Sequence, residues 1–446
     1  MNPTKKSPPS RRRTRPAAAP QPDLGRPHNT RADRLDPEAA TLLSMLNLAD
    51  RGALSDKSLA RHRLAWRLSA LALGRADAVA QVETLTVPGP DAPLELRLYR
   101  PSASAEPAPA FLWFHGGGFL MGGIATADTL CRHIAKASGA IVVAARYRLA
   151  PEHDLYAGRA DCLAALDWLV NEGHTVGIDA TRIAIGGDSA GGNLAAAVAQ
   201  RHTARGGPAL RMQVLAYPAT NLHDEFASMS ENARGYMLTT ERIDAILSLI
   251  TREPADLTDP WISPAFSPAL DGLPPALILT AGYDPIRDDG LAYVGKLRDA
   301  GVPVELLHYA GQFHGFLNFD GVLRTARDAL DRIGAALRRA LADTPTAAVD
   351  RTVEIAACTR ESVAFPTLRL GREMLIAGLM VGERLESWRA AMMRRVLPGS
   401  GWAAALAGSL LLNPVTAYRA EIGQRYAAIG ARETYRGGLD GRPYPG

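Results

Sequence analysis

The chain has 446 residues, 47% hydrophobic and 22% charged, with a formal net charge of +4. That apolar content supports a buried core and excludes wholesale disorder. Three scattered cysteines, Cys131, Cys162 and Cys358, are too few for a disulfide scaffold or a Cys-rich metal site.

The charge is partitioned. Residues 1–36 carry nine Lys/Arg against three Asp/Glu, residues 347–446 thirteen Arg against nine Asp/Glu, and the stretch between sums to −6. The pI near 9.0 therefore describes the flanks, and the acidic body argues against nucleic-acid binding by the main domain. The low cysteine content fits a reducing, cytoplasmic setting better than a secreted one.

In chain order, residues 1–36 hold Lys5-Lys6, Arg11-Arg12-Arg13 and several prolines, and read as a disordered basic tail without the apolar stretch of a signal peptide. Order is expected from Asp36-Pro37-Glu38, where Asp36 can cap a helix and Pro37 suits its first turn. A second helix is predicted over about Ser58–Leu73. Strand-like runs follow at Val82–Val87, Leu94–Tyr99, Ala110–Phe114, Ala140–Ala145, Arg182–Gly186, Arg211–Tyr217, Ala276–Ala281 and Val304–His308. From the fourth onward they alternate with helical stretches such as Asp161–Asn171, Ala190–Arg201 and Gly290–Ala300, and Leu323–Ala342 closes the series. This is the pattern of an α/β fold: a mostly parallel eight-stranded sheet covered on both faces, with the first runs forming an antiparallel hairpin at one edge.

Three motifs bear chemistry. Gly187-Asp188-Ser189-Ala190-Gly191 follows the apolar run Ile183–Gly186 and precedes the helix at Asn193–Gln200. This is G-x-S-x-G in a strand–turn–helix setting, where glycines permit the sharp turn that lifts a serine hydroxyl above the sheet. Such a hydroxyl needs a base, and the base needs an acid to orient it. In the order serine, acid, histidine, Asp284 follows the run Ala276–Ala281, and His314 lies in the loop just past the last strand. His202, His223 and His308 read as structural or surface residues, and Asp288 and Asp289 as helix-cap residues. His115-Gly116-Gly117-Gly118-Phe119 follows the third run. Its glycines free backbone N–H groups, so Gly117, Gly118 and Ala190 are the expected oxyanion donors, with His115 shaping the loop. A phosphate-cradling role is disfavoured, because the loop lacks the Walker lysine and the G-x-G-x-x-G spacing.

These motifs, with Tyr147-Arg148-Leu149-Ala150-Pro151-Glu152, Asp284-Pro285-Ile286-Arg287-Asp288 and His314-Gly315-Phe316, stand in the order and spacing of the hormone-sensitive-lipase family of α/β hydrolases. The chain most resembles the bacterial esterase branch with a GDSAG elbow, over about residues 40–343. The resemblance implies carboxylesterase activity on short- or medium-chain acyl esters, a small-molecule substrate, and neither cofactor nor metal. It also implies a cap, from N-terminal helices within 37–80 and an insertion at about 222–262, over a catalytic domain at 81–346. The family nucleophile, acid and base fall on Ser189, Asp284 and His314. One departure is visible: Leu155-Tyr156-Ala157 stands where the family often has Phe-Pro-Ala. An amidase or deacetylase with the same residues is the second enzymatic reading, and a scaffold with secondary activity is the third.

Residues 347–446 lie outside the family pattern and are expected to be helical. Met374, Val381, Leu385, Trp388, Met392 and Val396 form an apolar stripe within Arg372–Leu397. Trp402–Leu412 is too short to span a bilayer, and Asn413-Pro414 opens another helix. The expected role is packing on the hydrolase body or on a second copy as a homodimer. Contact of 370–430 with a membrane, lipid or polymer surface is the sharper alternative.

Overall fold

The computed structural model describes residues 25–48, 52–104, 106–252, 255–344, 346–357 and 431–436. Strands β1 (Gln81–Val87), β2 (Leu94–Arg100), β3 (Ala108–Phe114), β4 (Ile141–Ala145), β5 (Ile178–Asp188), β6 (Gln213–Ala216), β7 (Ala276–Tyr283) and β8 (Val304–Phe313) realise the eight expected runs. β9 (Arg351–Ile355) and β10 (Ala431–Arg436) extend them. The order is β1-β2-β4-β3-β5-β6-β7-β8-β9-β10. β1 and β2 form the antiparallel hairpin, β2 pairs antiparallel with β4, and β4 to β9 run parallel.

The central strands are apolar on both sides because both are covered. In β3, Leu112 and Phe114 join the core beneath α4 (Leu155–Glu172), α5 (Ala190–Ala204) and α8 (Arg287–Asp299), while Phe111 and Trp113 join the opposite core. That opposite core is built from α1 (Pro37–Leu48), α3 (Ile124–Ser138) and α9 (Arg324–Ala340). Gly334 of α9 sits so close to Ala137 of α3 that a Cβ there would collide with it. α2 (Asp56–Leu73), α6 (Ala227–Glu231) and α7 (Thr240–Ile250) lie toward the C-terminal ends of the strands.

Two expectations at the flanks are corrected. Residues 25–36, expected to belong to a disordered tail, are instead packed against the sheet. Ala32 N donates to Ala310 O at 3.0 Å, Asp36 N to Gly311 O at 2.9 Å, and Tyr283 Oη to Ala32 O at 2.6 Å. Arg31 stacks over the Tyr283 ring at 4.4 Å. Composition suggested disorder, but backbone hydrogen bonds, the cation–π contacts of Arg31 with Tyr236 and Tyr283, and the packing of Leu35 against the core hold this strap.

The extension from 347 is not wholly helical either. Arg351–Ile355 is rich in β-branched residues, Thr352, Val353 and Ile355, which suits a strand lying on the free side of β8. Val353 and Ile355 enter the core, and β10 pairs antiparallel with β9. Arg298, mostly buried, ties the parts together through Asp350 at 2.9 Å, Gly25 O at 3.1 Å and the Tyr435 ring at 4.4 Å. The predicted helices at Arg372–Leu397 and after Asn413-Pro414, and the surface contact placed on 370–430, lie outside the described residues. No helix among the described residues is long and apolar enough to cross a membrane.

Candidate active site

β5 ends in Gly186-Gly187-Asp188, and α5 begins one residue later. Ser189 makes the turn between them at φ 54 and ψ −117. A non-glycine residue at positive φ is held against its own preference by its surroundings. The two elbow glycines show how tight they are: a Cβ on Gly187 would strike the Gly191 carbonyl, and one on Gly191 would strike Phe114 O. Both positions require glycine on steric grounds alone.

β7 and β8 are neighbours whose ends meet at the pair Tyr283–Phe313. The residue after each end is Asp284 and His314, so the sheet register places carboxylate and imidazole side by side. His314 Nδ1 lies 2.7 Å from Asp284 Oδ2, and Nε2 lies 2.8 Å from Ser189 Oγ. Asp284 is fully buried, and its second oxygen accepts from Ile286 N at 2.8 Å. The Tyr217 ring packs edge-on against the imidazole at 5.0 Å. The three side chains form one continuous hydrogen-bonded chain, ending at a hydroxyl that faces a cavity.

The loop after β3 frames the other side. Gly117, Gly118 and Phe119 have φ of 125, 63 and 62, a backbone course that tolerates few side chains. A Cβ on Gly118 would lie 2.9 Å from Ile246 Cδ1. Gly117, Gly118 and Ala190 line the same cavity as Ser189 and His314. Ala190 is the first residue of α5, where the backbone N–H has no intrahelical acceptor. His115 is stacked on Tyr147 at 4.3 Å, and its Nδ1 sits 2.9 Å from Gly116 O. Burial pulls its pKa down to about 4, so it is neutral and shapes the loop. Asp188 bridges two loops: Oδ1 accepts from Gly116 N at 2.8 Å, and Oδ2 from Asn318 Nδ2 at 3.1 Å. Burial raises its pKa above the usual carboxylate value against the pull of these bonds.

The remaining histidines and carboxylates have other tasks. His202 bonds Pro208 O behind α5, and His223 pairs with Asp224 in the insertion. His308 is buried between Thr280 Oγ1 and Thr30 O, with its pKa pushed down to about 3 by burial. Asp288 pairs with Arg287 at 2.8 Å. Asp289 accepts from Thr220 Oγ1 at 2.5 Å and Asn221 N at 3.1 Å, and burial pushes its pKa up to about 7. Sequence reasoning did not single out Asn318, Tyr217 or this Asp289 clasp. Only Asn318, four residues past His314 in the same loop, carried a local signal. Among the described residues no cluster of three or more His, Cys, Asp or Glu could hold a metal ion.

The cavity walls are mainly apolar. α2 contributes Trp66, and residues 229–250 contribute Met229, Leu238, Ile243, Ile246 and Leu247. No lining residue among those described comes from α1, which packs into the α3–α9 core instead.

A parallel sheet with a strained serine between strand and helix, and an imidazole bridging that serine to a carboxylate, defines the α/β hydrolase class. The alpha/beta hydrolase fold family matches residues 111–318. Esterase LipI of Mycobacterium tuberculosis is 42% identical over 262 residues, 58% of this chain and 82% of that protein. An ethyl acetate hydrolase of Pseudomonas putida is 35% identical over 313 residues, 67% of this chain and 98% of that protein. Among solved structures, the hyperthermophilic esterase of the archaeon Pyrobaculum calidifontis shares 37% identity at a TM-score of 0.65, covering 68% of this chain and 98% of its own. A thermostable esterase from Pseudomonas putida ECU1011 shares 30% identity at 0.66, covering 70% and 99%. The chain belongs to the hormone-sensitive-lipase-like family of α/β hydrolases and is a carboxylic-ester hydrolase.

Proposed function

We propose that Ser189, His314 and Asp284 hydrolyse short- to medium-chain acyl esters through an acyl-enzyme. Ser189 Oγ attacks the ester carbonyl carbon while His314 Nε2 takes the hydroxyl proton. Asp284 holds Nδ1–H and stabilises the imidazolium without itself becoming protonated. The N–H groups of Gly117, Gly118 and Ala190 receive the oxyanion, each such donor contributing roughly 10²–10³-fold to kcat. The C–O bond to the alcohol breaks, and His314 returns the proton to the leaving oxygen. Water, deprotonated by His314, then attacks the acyl carbon and releases the acid and Ser189.

The observation that supports this reading most directly is His314 within 2.8 Å of Ser189 Oγ and 2.7 Å of Asp284. The apolar walls from α2 and residues 222–262 favour an aliphatic acyl group, and we assign them the role of the cap. A serine-directed organophosphate is expected to label Ser189, and Ser189→Ala to abolish hydrolysis of nitrophenyl esters. Hydrolysis surviving in Ser189→Ala would refute the assignment.

A further inference from the structure

Arg159 stands on α4, just past the Leu155-Tyr156-Ala157 departure, and is 0% exposed. A guanidinium is rarely buried without a carboxylate to neutralise it. Among the described residues no carboxylate comes within ion-pair distance of this one. Its partners are neutral: Trp261 O at 2.5 Å, Leu155 O at 2.8 Å, Ile262 O at 2.9 Å and Asn193 Oδ1 at 2.8 Å. The Phe119 ring covers it at 5.1 Å. Burial lowers its pKa to about 10, so it remains a cation at neutral pH. The charge is solvated by dipoles, and Asp259 offsets it only from beyond ion-pair distance.

The partners are parts of the site. Asn193 lies in the first turn of α5, where its backbone N–H bonds Ser189 O at 3.1 Å. Its side-chain amide also holds Ala219 O at 2.7 Å and Ile262 O at 2.9 Å. Phe119 directly follows Gly118 and lines the cavity. Trp261 and Ile262 lie on the limb by which the segment after α7 rejoins the body. The guanidinium therefore touches, from behind, both the loop that carries Gly117 and Gly118 and the helix that begins at Ala190.

We propose that Arg159 is a positioning residue for ester hydrolysis, whose uncancelled charge fixes Phe119 and Asn193 and strengthens the positive potential at the oxyanion site. Negative charge on the substrate oxygen develops in the tetrahedral state, so a cation fixed in a water-poor interior favours that state over the bound ester. The inference rests on the reading of Ser189 as nucleophile. A buried, unneutralised cation is a poor device for stability, and its adjacency to both oxyanion-donor segments gives it a use.

The test compares Arg159→Lys, Arg159→Gln and Arg159→Met in the full-length protein, with Ser189→Ala in parallel. Each variant is assayed for kcat and KM on nitrophenyl butyrate, for inhibition by an alkyl trifluoromethyl ketone, and for thermal melting. The ketone adds to the serine as a tetrahedral oxyanion, so its affinity reports on that state. Loss of the charge in Gln and Met is expected to lower kcat about tenfold, with KM nearly unchanged and ketone affinity weakened in proportion. Lys is expected to stay close to the parent. Should Met not fold, Gln, which still donates to a carbonyl, gives the same comparison. A rise in KM at constant kcat, an unchanged ketone affinity, or a Lys variant as impaired as Gln would overturn the inference. Activity surviving in Ser189→Ala would instead overturn the nucleophile assignment.

Discussion

Replacing Asp188 with asparagine isolates a carboxylate that touches two arms of the site without belonging to the Ser189–His314–Asp284 chain. Its oxygens accept from Gly116 N at 2.8 Å and from Asn318 Nδ2 at 3.1 Å. Asparagine keeps one acceptor and turns the other atom into a donor, so one of the two bonds fails. Rotating the Asn318 amide would restore a partner, but at the cost of its bond to Gly315 O at 3.3 Å. A hydrogen bond to a charged group contributes about 1.5–3 kcal/mol. If the loss is felt as displacement of the oxyanion loop, kcat/KM falls roughly 10- to 150-fold. Stability should change less, because the substitution also removes a buried charge that burial disfavours. The assay is kcat/KM on nitrophenyl butyrate for Asp188→Asn, Asn318→Ala and the double variant. The double variant should be no worse than Asp188→Asn alone, since both remove the same bridge. A change under twofold in Asp188→Asn, or additive losses, would refute the reasoning.

Asp289 supplies a pH prediction. Its folded pKa near 7 lies above the unfolded value of about 3.9. Between those values the folded chain keeps a proton that the unfolded chain has lost, so stability declines as pH rises from about 4 to 7. Asp289→Asn should flatten the melting temperature across that window, and an unchanged slope would count against the burial argument. Gly191→Ala should give little folded, active protein, since its Cβ would meet Phe114 O; a soluble variant with parental activity would show that the elbow has slack. Ile355→Ala removes a side chain 1% exposed. The expected cost is about 2–4 kcal/mol, lowering the melting temperature by roughly 5 °C or more. An unshifted melt would mean that β9 is not part of the cooperative unit.

The Ser189–His314–Asp284 arrangement is legible in the sequence because local geometry dictates it. A serine lifted between strand and helix needs glycines at fixed offsets, and an acid and a base delivered by strand ends appear just after apolar runs. Tyr217 and Arg159 were not legible, since Tyr217 meets His314 and Arg159 meets Trp261 and Ile262 from far along the chain, whereas Asn318 carried only its place four residues past His314. The helix α3 follows the glycine-rich run ending at Gly123, which masks its start, although its apolar positions recur at helical spacing. β9 is five residues long and is a strand only because β8 offers it an edge. The strap at 25–36 has no periodicity for a pattern to find, being held by main-chain bonds to Ala310 and Gly311.

β8 is buried along its whole length. A protein trimmed to the boundaries that the motifs suggest, ending near residue 346, would lack β9 and β10 and leave the backbone donors and acceptors of β8 open to any passing strand. Long apolar edges of that kind recruit other chains and seed aggregation. Among the described residues the sheet ends at β10 instead, where Arg432, Glu433 and Arg436 carry charge. The two added strands thus serve as a guard rail: they keep a sticky sheet from finding copies of itself.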